Sequence, residues 1–127
     1  MRQLIRALFI LVGFVNLLPV LGVLGTPRLE ALYGLRFEGG DLVLLMRHRA
    51  VLFGLVGGLL LVAAFVPSLR RVAAVLGLGS MLSFVLLALP PGVHGAAIQR
   101  VFWVDLVASA ALVLATGLVW RDGSRRA

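Results

Sequence analysis

The sequence predicts an all-α polytopic membrane protein: a four-transmembrane-helix bundle forming a single domain over residues 1–127, with a short amphipathic interfacial helix in the first loop. Three observations carry that expectation. Apolar residues make up 61% of the 127 and charged residues 13%, against about 45–50% and about 25% in soluble domains. The mean hydropathy is +1.11, which implies more apolar surface than a soluble fold of this length could hide, so the remaining solvent is lipid. The apolar residues also gather into four blocks, each near the roughly 20 residues a helix needs to cross a bilayer.

The first block covers residues 4–24 behind the basic start "MRQLIR". It resembles a secretion signal, but its apolar run exceeds the usual h-region of about 7–15 residues and reads as a retained span. The first loop follows, with "GTPRLEALYGL". Thr26 caps a short helix there, Pro27 suits its first position and Gly34 its end. Leu29, Leu32 and Tyr33 share one side while Arg28 and Glu30 lie elsewhere, the pattern of a helix lying on the membrane surface and closing the bundle. The same pattern also fits a solvated connector.

The second block spans residues 42–66, with Asp41 as N-cap behind Gly39 and Gly40. The third spans 72–89 and the fourth 101–120. Pro67, Pro90 and Pro91 mark helix exits, because proline cannot extend a helix with normal hydrogen bonding.

All twelve basic residues are arginine, against five acids. They cluster between apolar blocks, which reads as membrane threading rather than a nucleic-acid face. Four spans put both termini on one side, with Arg2, Arg6, Arg70, Arg71, Arg121, Arg125 and Arg126. The other side holds Arg28, Arg36, Arg47, Arg49 and Arg100. Seven against five places the termini in the cytoplasm by the positive-inside rule, and Trp103 and Trp120 fit interfacial anchors. The absence of cysteine excludes disulfides and thiolate chemistry. Two distant histidines make no metal set.

The polar residues within the apolar blocks are the candidates for function. Asp105 stands seven residues beyond Ile98 and Arg49 seven beyond Leu42, so on parallel helices they share a depth and an ion pair is available. Intramembrane acids usually face the bundle interior and have partners. Ala50, Gly54 and Gly58 form a small-residue ridge that admits a close helix. Arg47 lies on that side, whereas Arg49 projects roughly 200° round from it. This phase assigns Arg47 to the interior, His48 beside it, with Arg49 the competing partner.

Two more stripes point inward: Asp105, Ser109, Leu112 and Thr116 on the fourth helix, and Gly77, Ser80 and Ser83 on the third. Asn16 lies three residues before Pro19, where a bend frees a carbonyl. Asn16, Arg47, His48, Arg49, Ser83 and Asp105, closed by Tyr33, thus outline a polar pocket for a lipid- or quinone-like amphipathic ligand. No other cofactor and no catalytic or metal residues are expected. A purely structural polar network and plain interfacial charges stay open beside this, since Ser, Thr and Gly on membrane helices are often packing surface.

Two other functions stay open. One is an accessory or assembly subunit of a larger membrane complex, or a homo-oligomer, packing through Ala50/Gly54/Gly58 or Ala108/Ala111/Ala115. The other is a membrane-embedded enzyme with His48 and Asp105 as acid and base, although no catalytic motif is recognisable.

The segments "RALFILVGFVNLLPVLGV", "LEALYG" and "LMRHRAVLFGLVGG" resemble the DoxX-like group of small four-helix bacterial membrane proteins and its uncharacterised relatives. The resemblance implies a bacterial inner-membrane location and a four-helix fold, without a mechanism. Small chains of similar appearance are sometimes labelled phosphopantetheine adenylyltransferase. That chemistry needs a soluble nucleotide fold and a His-x-Gly-His-like phosphate site, whereas His48 precedes Arg-Ala-Val and His94 precedes Gly-Ala-Ala.

Overall fold

The structure, a computed structural model, describes residues 1–36 and 38–124. Arg125 and Arg126, counted above for the positive-inside balance, lie outside the described residues. Among the described residues five α-helices run in order: α1 (Arg2–Leu17), α2 (Thr26–Tyr33), α3 (Gly40–Phe65), α4 (Arg70–Leu87) and α5 (Ala96–Ser124). Short 3₁₀ segments, Leu18–Leu24 and Pro67–Leu69, follow α1 and precede α4. Four helical stretches among the described residues are long and apolar enough to cross a membrane: Arg2–Leu24, Gly40–Phe65, Pro67–Leu87 and Ala96–Gly123. Only 28% to 33% of each apolar window is buried, so most of the apolar surface faces outward, the arrangement of a bundle solvated by lipid.

The spans form a closed ring. Span α1 packs on α3, α3 on α4, α4 on α5, and α5 back on α1. That makes α3 and α5 diagonal partners rather than neighbours. Towards the end carrying the chain's N-terminus, small residues let the ring draw tight. Ile5, Phe9 and Val12 of α1 meet Leu60, Ala63 and Ala64 of α3, Ala73 and Ala74 of α4, and Leu112 and Ala115 of α5. Leu60 and Leu112, from the two diagonal helices, both reach over Gly77 of α4, which fills the middle of the ring. Lipid gives no hydrophobic push between helices, so this van der Waals fit is what holds them.

The close crossing of α1 and α3 differs from the expected ridge by one position. Ala50 is buried and Gly54 lies under Val20, but a β-carbon on Gly58 would meet open space. Gly57 makes the contact instead, against Gly13 and Leu17. Ala50, Gly54 and Gly57 keep the i, i+4, i+7 spacing of one helix face, against a first span that changes from α-helix to 3₁₀ winding. That change comes where Pro19 supplies no N–H and the last turn closes on Val15.

The helix caps shift as well, by one residue in α2 and by two in α3. Gly25, not Thr26, is the N-cap of α2, and Gly39, not Asp41, is that of α3; neither makes a side-chain cap bond. Both glycines have positive φ, which turns the chain into each helix without a side chain's help. Gly34 ends α2 in the left-handed conformation, its N–H bonded to the Glu30 carbonyl. Asp41 falls within the first turn of α3, where a negative charge suits the helix dipole.

Helix α2 turns Leu29 and Tyr33 inward against Leu32, Val43, Met46 and Ile98. It therefore sits on one end of the ring as the amphipathic pattern implies. At the opposite end, Arg70 donates from Nε to Ala63 O (3.1 Å) and from Nη2 to Ala64 O (3.0 Å). Those bonds satisfy carbonyls that the end of α3 leaves open.

Candidate functional site

Beneath α2 the inside of the ring is not filled. A cavity of about 200 Å³ is lined by Asn16 and Pro19 of the first span, Tyr33 of α2, Arg49 and Phe53 of α3, and Arg100, Val104 and Asp105 of α5. Arg49 is the ninth residue after Gly40 and Asp105 the ninth after Ala96, so each lies about 13 Å along its helix at 1.5 Å per residue. They meet at one level across the ring's diagonal. Asp105 is 8% exposed and Arg49 half-buried. Even so, among the described residues no ion pair within 4.0 Å joins them. The diagonal helices α3 and α5 make little direct backbone contact, and both side chains line the cavity between them.

Aromatic rings hold Arg49 in place. Its guanidinium carbon lies 5.1 Å from the centre of the Phe53 ring, 5.4 Å from Phe84 and 5.7 Å from Tyr33. Cation–π attraction to these faces strengthens where water is scarce. Phe53, four residues on, stacks along the same face of α3, whereas Tyr33 and Phe84 arrive from α2 and α4.

The sequence-based assignment of the interior arginine is therefore corrected. Arg47 is exposed, and its Nε donates to the Val23 carbonyl at 2.9 Å. It does share a side with Ala50 and Gly54, as the helical phase requires. That side, however, faces the 3₁₀ continuation of the first span and not the cavity. A 3₁₀ end leaves carbonyls open, and Arg47 answers one of them. Rotated roughly 200° from it, Arg49 takes the interior place. His48 is exposed and does not line the cavity, so the suggested His48–Asp105 acid–base pair is not assembled.

Asn16 is buried, with Nδ2 donating to Val12 O at 3.0 Å and lying 3.5 Å from the Met81 sulfur. Its Oδ1 is buried with no hydrogen-bond partner. Ser109 and Thr116 follow the Asp105 stripe as expected, but each bonds its own helix, Ser109 to Asp105 O and Thr116 to Leu112 O, both at 2.7 Å. Ser83 is exposed and donates to Ser80 O. It lines a separate groove of about 310 Å³ between α3 and α4, which shares Arg49 and Phe53 with the cavity.

Tyr33 is buried at the cavity's lid. Burial pushes its phenol above the usual tyrosine range; Arg49 pulls it down and Asp105 pushes it up. The sequence reading missed Arg100, Phe53 and Phe84. Phe53 had a signal, its i+4 spacing from Arg49, and Arg100 stands on the same helix as Asp105, five residues before it; Phe84 carried none, since only the folded ring brings it near. No set of three or more metal-ligating residues occurs among the described residues. Comparison with known proteins finds no matching family model, no similar curated protein and no similar solved structure.

Proposed function

We propose that this chain is a bacterial inner-membrane protein, with both termini in the cytoplasm and DoxX-like in kind. Its task is to hold a lipid- or quinone-like amphipathic molecule by the polar head in the cavity under α2. One observation carries this reading: Arg49 and Asp105 are withdrawn from lipid to one level, yet a cavity separates them and no ion pair joins them. Intramembrane charges are costly, on the order of 2.5–3.5 kcal/mol each near a helix centre. A purely structural role would bring the two into contact, whereas a ligand's head placed between them offsets that cost.

The expected ridges for an accessory subunit give less support to that alternative, because Ala50, Ala108 and Ala115 are buried inside this chain. With Arg49 drawn into the cavity, the arginine balance becomes seven against four, which favours cytoplasmic termini. The chain lacks cysteine, so single-cysteine labelling at Gln3 and Val93 reports the threading directly.

Native mass spectrometry of protein extracted from its own membrane tests the ligand. The wild-type chain is expected to carry a bound amphiphile, and Arg49→Ala and Asp105→Ala to lose it. Equal retention by all three proteins rules this function out.

A further inference from the structure

The polar groups of the cavity are sorted by burial, and the sorting selects a head group. Asn16, 3% exposed, directs its amide nitrogen at Val12 O and the Met81 sulfur. Both are acceptors, so the opposite amide orientation would set oxygen against oxygen, and the assignment is fixed by chemistry. Oδ1 is left as a buried acceptor without a donor. Asp105 adds carboxyl oxygens to the same lining. Ser109, the hydroxyl nearest in sequence, donates instead to a main-chain oxygen.

Asn16 Oδ1 and the Asp105 carboxyl, both buried, therefore accept hydrogen bonds. The cations of the same lining are less buried: Arg49 is half-buried among rings and Arg100 is exposed. A carboxylate or phosphate seated deeply would face acceptors with acceptors, and a buried polar group so mismatched loses its hydration without replacement. A hydroxyl meets the need, donating inward and leaving its own lone pairs for the rim.

The tail has a route as well. At about 200 Å³ the cavity is smaller than the roughly 300–1,000 Å³ of sites that enclose a drug-sized ligand, so it accommodates a head and little more. Val15 and Val104 line both this cavity and an apolar groove of about 350 Å³ between α1 and α5. Leu11 and Val107 of that groove are well exposed on the lipid-facing surface.

Resting on the ligand-holding reading above, we infer that the occupant is a single-tailed amphiphile with a neutral hydroxyl head. The head donates to Asn16 Oδ1 and Asp105, and the tail leaves past Val15 and Val104 into the α1–α5 groove. Long-chain alcohols, monoacylglycerols, prenols and reduced quinones share this chemistry.

The test uses the full chain, stripped of native lipid, and measures retention of one probe from each of those four kinds against a fatty acid and a phosphatidic acid of matched tail. At least one hydroxyl probe is expected to bind at least about tenfold more tightly than either anion, the worth of one well-placed hydrogen bond to a charged or buried partner. The tightest of the four identifies the source. Asn16→Leu is expected to lower that affinity about tenfold with the unfolding midpoint unchanged. Should Asn16→Leu fail to fold, Val104→Trp serves: in the wild-type chain a longer tail strengthens binding, and this variant abolishes the dependence.

Anions binding as well as or better than every hydroxyl probe, or no dependence on tail length, would overturn the inference. If those anions are lost in Asp105→Ala, the ligand-holding function survives with a different head. No retention of any probe, together with no native amphiphile, sinks both.

Discussion

The carbonyl oxygen of Gly13 on α1 lies so near the backbone of Gly57 on α3 that a β-carbon on Gly57 would stand 2.9 Å from it. Two membrane-spanning helices thus meet backbone to backbone at this crossing. The approach sets how α1 sits on α3, and with it the position of Asn16, three residues beyond Gly13, at the cavity.

Gly57→Ala is expected to destabilise the bundle by about 1–3 kcal/mol, the usual cost of forcing a methyl group into a packed contact. Gly58→Ala, one residue along, meets open space and gains helix propensity, so its stability should equal or exceed that of the wild type. Unfolding both variants in one detergent checks the pair. Equal losses would mean the crossing lies elsewhere.

Arg49 and Arg47 should separate cleanly by assay. Arg49→Ala removes the cation from the cavity and its three rings, and ligand retention is expected to fall at least about tenfold. Arg49→Lys keeps charge but loses the flat stacking surface, and should rescue only part of that loss. Arg47→Ala is expected to leave retention within about twofold while the segment around Val23 exchanges its amide hydrogens faster. Matched losses of ligand in Arg47→Ala and Arg49→Ala would contradict the assignment of the interior arginine.

Arg70 acts at the opposite end. Its two bonds to Ala63 O and Ala64 O are charge-assisted, and Arg70→Ala should cost about 1.5–3 kcal/mol of stability. Ligand retention should not change, since Arg70 is remote from the cavity lining. Arg71→Ala, on an exposed neighbour, gives the comparison and should lie within about 0.5 kcal/mol of the wild type.

Tyr33 is the chain's one tyrosine, so its phenolate absorbance reports a single site. Burial raises its pKa above the ordinary value near 10. A raised value means the folded protein holds the proton more tightly than the unfolded chain. The associated stability is complete below about pH 10 and is lost as pH climbs through the folded value. Ultraviolet titration should therefore show phenolate forming later in folded protein than in denatured protein. In Arg49→Ala it should form later still, because a lowering influence is gone. Coincident folded and denatured curves would count against a buried Tyr33.

Much of this molecule was legible before any coordinates. Hydropathy marks the four spans because lipid requires long apolar runs whatever the tertiary arrangement. The α2 lid was readable from Pro27, Gly34 and the shared side of Leu29 and Tyr33, all local properties of the chain. The common level of Arg49 and Asp105 was also readable, since a fixed rise per residue turns sequence offset into depth.

Which arginine faces inward was not. Helical phase correctly grouped Arg47 with Ala50 and Gly54 and set Arg49 apart, but phase is a relative angle and names no neighbour. Only the ring order α1–α3–α4–α5 decided that the small-residue side of α3 meets the first span, which turns Arg49 toward Asp105. The same order made α3 and α5 diagonal, converting an expected ion pair into a cavity, and brought Phe84 to the site. The sequence by itself determined the spans, their depth register and the lid. The tertiary structure alone decided what stands across from what, because that depends on packing between segments far apart in the chain.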